Sequence, residues 1–156
     1  MQEALRIAVW SASRRTDARD AVEQLYLRVE REIDLRRPVC LASGRCCHFE
    51  QFGHRLYVTT LELAKFLHDL PVDRRALCWD GSGCPFQRDK LCTVHAIRPF
   101  GCRIFFCDAS STSWQNAVYE RFHRELKSLH DQLDVPYFYV EWRQALDMLQ
   151  VATRAG

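Results

Sequence analysis

Between Thr16 and about Arg36, the apolar residues Ala18, Val22, Leu25, Val29 and Ile33 recur at steps of three and four, while Glu30, Arg31, Glu32, Arg36 and Arg37 fill the other positions. That period is the stripe of an amphipathic helix with a solvated opposite face. It predicts a helix over 16–36, capped by Thr16 and stopped by Pro38. A short extended piece is expected at 55–58. Thr59 and Glu62 then stand at capping-box spacing before Leu61, Leu63, Ala64, Phe66 and Leu67, so a short helix should run from about residue 60 to Asp69 and end at Pro71. A third helix starts in Ser110-Ser111-Thr112-Ser113, carries the stripe Trp114, Val118, Phe122, Leu126, Leu129 and Leu133, and closes at Pro136. Ala145, Leu146 and Leu149 predict a fourth helix within Trp142 to Ala152.

Two stretches lack such periodicity, and they hold all the cysteines. Cys40, Cys46 and Cys47 lie among Ser43, Gly44 and Gly53; Cys78, Cys84, Cys92, Cys102 and Cys107 occupy 78–107. Cys84 and Cys92 flank the polar turn Gln87-Arg88-Asp89-Lys90, and Thr93 is placed to cap a single helical turn before Arg98-Pro99.

The remaining composition describes an ordinary globular chain. At 156 residues, 47% hydrophobic and 27% charged, it fits one domain and buries roughly two-thirds of its unfolded surface, so metal is not needed merely to compensate for small size. A net charge of +2 is far from the dense basic field of a non-specific nucleic-acid binder, and nucleic acid is not the expected partner. Arg121-Phe122-His123-Arg124 with Lys127 is the nearest candidate, but Glu120 and Glu125 make it a mixed solvent face. Met1 to Trp10 has no long apolar core with a small-residue cleavage site, and no run approaches the ~20 apolar residues of a membrane span. The expectation is a cytoplasmic protein.

In a reducing cytosol eight clustered cysteines point to metal rather than to disulfides, although an even number leaves a disulfide framework as the plain alternative. Soft thiolates select zinc, cuprous copper and iron–sulfur clusters. Adjacent Cys46 and Cys47 cannot easily serve one ion together. The expected fold is therefore mainly α with irregular metal-bearing loops. It is a single small domain, with a cysteine-rich core over 38–108 and flanking helices at 16–36 and 112–152.

Cys40-Leu-Ala-Ser43-Gly-Arg-Cys46-Cys47, followed by Cys84-Pro85-Phe86, Cys92, Arg98-Pro99, Cys102-Arg103 and Phe106-Cys107, resembles the YkgJ-like cysteine-cluster family. That family is described as a zinc- or iron-chelating domain, and its members are often labelled iron–sulfur proteins. The resemblance covers about 38–108 and implies Cys40, Cys46, Cys47, Cys84, Cys92, Cys102 and Cys107 as metal ligands. Ser43 replaces one family cysteine, and His95 stands where tyrosine is usual. Cys78 falls outside the motif, either as a substitute ligand or as a buried thiol. His95, and less so His48, is a further candidate ligand, with a surface or capping role as its simpler use.

Arg98 and Arg103 have two uses open to them: satisfying loop carbonyls, or stabilising an anionic cluster through charge beside its thiolates. Phe86, Phe100, Phe105 and Phe106 would shield a cluster or simply pack, and Trp79, Trp114 and Trp142 read as hydrophobic anchors. Three functions follow as expectations. The first is an iron–sulfur protein in a redox or accessory role, working with an unidentified protein or redox partner. The second is a structural zinc module that mediates protein interaction. The third is a metalloenzyme with a coordination position left open at Ser43; no nucleotide loop, carboxylate pair or nucleophile elbow supports that enzyme independently.

Overall fold

A computed structural model describes residues 1–36, 56–75, 77–81, 83–89, 91–104 and 112–154. Among them the chain forms one small, mainly helical domain. Its helices are α1 (Gln2–Ser13), α2 (Thr16–Arg36), α3 (Thr60–Asp69), α4 (Phe100–Ile104), α5 (Thr112–Leu133) and α6 (Trp142–Met148), with 3-10 turns at Val72–Arg74 and His95–Ile97. Three two-stranded ribbons link them. The pairs are β1 (Tyr57–Thr59) antiparallel to β5 (Tyr139–Glu141), β2 (Leu77–Trp79) parallel to β6 (Ala152–Arg154), and β3 (Gln87–Arg88) antiparallel to β4 (Leu91–Cys92).

The centre of the molecule is α3, buried along nearly its whole length. Seven of its ten residues are buried and only Lys65, His68 and Asp69 reach solvent, so most of its surface must be covered by other elements. Leu63, Phe66 and Leu67 join Leu5 and Val9 of α1 with Trp142, Leu146 and Phe86 in one core cluster. Leu61 and Ala64 join Val22, Leu25 and Val29 of α2, Phe100 and Ile104 of α4, and Val118, Phe122 and Leu126 of α5 in a second.

A helix start buried this deeply cannot rely on water for its first N–H groups. Each is supplied. Thr60 N–H donates to the Phe138 carbonyl (3.2 Å) and Leu61 N–H to Nε2 of His130 (3.2 Å). Glu62 N–H donates to Thr59 Oγ1 (3.4 Å), and the Glu62 carboxylate accepts Thr59 N–H at 2.8 Å, completing the expected capping box. His130 Nδ1 meets the Leu126 carbonyl at 2.8 Å. With Nδ1 donating there and Nε2 accepting, the ring is held as one neutral tautomer.

Helix α2 spans 16–36 as its stripe predicts, but Thr16 is its first helical residue rather than its cap. Asp17 serves that end instead: its Oδ1 accepts Ala18 N–H at 2.8 Å, and both carboxylate oxygens hold Arg15. Thr93 is not a cap either. Its hydroxyl donates across the β3–β4 hairpin to the Phe86 carbonyl, and the 3-10 turn at His95–Ile97 has no side-chain cap. The predicted fourth helix is shorter than 142–152. Gln150 turns left-handed (φ 59°) and Val151 N–H reaches back to the Leu146 carbonyl, so the helix ends in a Schellman-type closure and the chain leaves as β6. The stop proposed at Pro38 lies outside the described residues.

Glu62 and His130 pull stability in opposite directions as pH falls. Burial lifts Glu62 to about 6 from 4.5, so the folded protein takes this proton before the unfolded chain does. That contribution is complete below pH 4.5 and is lost as pH rises through 6, which corresponds to about 2 kcal/mol. Burial pushes His130 below 6.5, so its contribution is present above pH 6.5 and is lost as pH falls through the folded value. Glutamine at position 130 can donate to Leu126 and accept from Leu61 without titrating. His130→Gln should therefore gain stability relative to the unsubstituted protein between pH 6.5 and 5, read as diverging urea midpoints; parallel curves would rule out this coupling.

Candidate metal centre

Three cysteines of the later motif are brought to one core cluster by three different elements. Cys84 precedes the β3–β4 hairpin, Cys92 lies on β4 opposite Gln87, and Cys102 is on α4. All three are half-buried against the apolar cluster that contains Phe86 and Trp142. Cys78, on β2, is exposed. Cys40, Cys46, Cys47 and Cys107 lie outside the described residues, as do Ser43, His48, Phe105 and Phe106. Among the described residues, no three of His, Cys, Asp or Glu come together as a metal-holding group.

The indole N–H of Trp142 donates to Cys84 Sγ at 3.5 Å. Trp142 is 1% exposed and is fixed edge-on to Phe66, with ring centroids 4.9 Å apart and planes at 80°. Its anchoring role is as expected, but the N–H aimed at sulfur is an addition that no sequence pattern announces. An N–H donor makes sulfur a better-held anionic ligand. Thiol donors in an apolar, partly water-excluded setting, one of them already accepting a hydrogen bond, are chemically suited to a thiolate-bound metal.

The two arginines are engaged with the backbone. Arg98 donates from Nε to the His95 carbonyl (2.9 Å) and from Nη1 to that of Cys102 (3.3 Å). Arg103, 9% exposed, donates to the carbonyls of Arg98 (2.7 Å) and Ala96 (3.2 Å), pairs with Glu30 at 3.0 Å, and lies 4.1 Å over the Tyr26 ring. Loops without a ladder need such donors, and here the forks brace the 95–103 segment that carries Cys102. His95 is exposed at the surface of this segment. Partial burial of its ring, then Arg98 and Arg103, lower its pKa, which favours the neutral imidazole a metal would require.

Glu62 was legible only as half of a capping box. Its second oxygen accepts Phe100 N–H at 2.8 Å, tying the start of the cysteine-bearing α4 to the central helix. A Cβ at Gly101 would come within 2.4 Å of Leu56 Cδ1, so the α4 backbone passes close to the side chain of Leu56, the residue before β1.

No family model matches this chain, and no curated protein or solved structure does either. No helix among the described residues is long and apolar enough to cross a membrane.

Proposed function

We propose that this chain is a metal-binding protein of the YkgJ-like cysteine-cluster type that carries an iron–sulfur cluster in a redox or accessory role. The observation that carries the reading is the Trp142 N–H···Sγ bond to Cys84, with two further motif cysteines packed on the same core cluster. A bound cluster would supply one-electron chemistry. The chain's own residues would do the rest: Cys84, Cys92 and Cys102 as ligands with Cys40, Cys46, Cys47 and Cys107, Trp142 holding Cys84, and Arg98, Arg103 and Glu62 positioning the segment around Cys102. Phe86, fully buried, would help exclude water from the sulfurs.

The reading is tested by purifying the protein without oxygen and measuring its visible absorption with its iron, zinc and acid-labile sulfide. A brown protein with iron and sulfide in comparable amounts is the expected result. A colourless protein with stoichiometric zinc would replace the cluster with a structural zinc site, and a metal-free protein would end the metal reading.

A further inference from the structure

Tyr57, Tyr119, Tyr137 and Tyr139 gather with His123 where the β1–β5 ribbon meets one flank of α5. Tyr119 and Tyr139 share a hydroxyl–hydroxyl hydrogen bond of 2.6 Å, and the Tyr137 hydroxyl meets Nε2 of His123 at 3.2 Å. Tyr139 stacks on Tyr57 with centroids 5.3 Å apart and planes 19° from parallel, and it lies within 7° of parallel to Tyr137 at 6.4 Å. The His123 ring braces Tyr139 edge-on at 4.8 Å. Packing alone does not account for this row, because Tyr57 and Tyr139 each remain 39% exposed. The Lys127 ammonium stands 5.4 Å over the Tyr137 ring, and Lys127 and Arg124 are both exposed on the same helix. Glu120 and Asp131, both exposed, are acids on the same helix.

We propose that the Tyr57–Tyr139–Tyr137 row is a stacking platform for a nucleobase, with Lys127 holding a phosphate at the Tyr137 end. A parallel row of rings can be extended by another flat π system, and base–aromatic stacking beside a cation is how single strands are held without sequence reading. The hydroxyl pairs hold Tyr139 and Tyr137 in place in advance, so little of their side-chain freedom remains to be lost on binding. The low net charge excludes a broad electrostatic track; one base with its phosphate needs only a ring and one or two cations. The base belongs either to a free nucleotide or to a single strand. This site is independent of the metal reading.

Fluorescence anisotropy of a labelled ten-residue oligouridylate, with adenosine monophosphate and inorganic phosphate as competitors, tests the proposal. Saturable binding is expected, weakened about tenfold or more by Tyr57→Ala and retained by Tyr57→Phe. Lys127→Ala should reduce the slope of log K against log salt by roughly one. Displacement by the mononucleotide at similar concentration identifies a free nucleotide as the source, whereas its failure to displace identifies a strand. The proposal is overturned if neither probe binds saturably, if inorganic phosphate competes as well as the nucleotide, or if Tyr57→Ala, folded by circular dichroism, binds unchanged.

Discussion

Trp142→Ala should lower stability by about 3–5 kcal/mol, the range for deleting a large aromatic side chain from a packed core. The residue is 1% exposed and touches Phe66 and Phe86 as well as Cys84. Its backbone N–H, bonded to the Leu56 carbonyl at 2.8 Å, survives the change, so the loss reports the side chain. For a domain of this size the melting temperature should fall by on the order of 10 °C or more. Trp142→Phe separates volume from hydrogen bonding. It keeps most of the ring and removes the N–H, so it should cost about 1 kcal/mol in the metal-free protein while measurably loosening metal held through Cys84. If the alanine variant melted within a degree or two of the parent, the core described around α3 would be wrong. If the phenylalanine variant bound metal unchanged, the N–H···S bond would have no part in the site.

Cys102→Ser should cost metal and stability together, and so should Cys107→Ser, whereas Cys78→Ser should cost little of either. Metal that binds only the folded chain, present at about a thousand times its Kd, contributes on the order of 4 kcal/mol, and a lost ligand forfeits most of that. Cys78 is exposed on β2, where a serine stays within about 0.5 kcal/mol. Metal-to-protein ratios and melting temperatures of the three variants decide the matter. Equal losses at Cys78 would make it a ligand standing in for Ser43, and unchanged metal at Cys102 would remove α4 from the site.

Helices α2, α3 and α5 were legible because their apolar positions keep a helical period over many residues, and a single misplaced side chain does not erase such a signal. Helix α1 carries the same spacing in Leu5, Ala8, Val9 and Ala12, but two of those four are alanines, whose small side chains make a faint stripe. The ends were harder to read. Asp134 and Gln150 turn left-handed at φ 55° and 59° to close α5 and α6, and neither residue type announces a stop as glycine does. Strands β1, β2, β5 and β6 are three residues each, too short to show alternation, and β2 finds its partner, β6, 75 positions away.

For the candidate centre, the amino-acid sequence by itself determined the residue types: thiols in two clusters, arginines beside them, and a capping box between the two. These are local facts of spacing and chemistry. Only the tertiary structure decided which groups they meet. It turned the Trp142 N–H toward Cys84, carried the second oxygen of Glu62 to Phe100, assigned the Arg98 and Arg103 forks to loop carbonyls, and assembled the tyrosine row from α5, β1 and β5. The Trp142–Cys84, Glu62–Phe100 and Tyr57–Tyr139 contacts join positions 58, 38 and 82 residues apart, a separation at which no periodicity survives and only the packing of the whole chain around α3 fixes who touches whom.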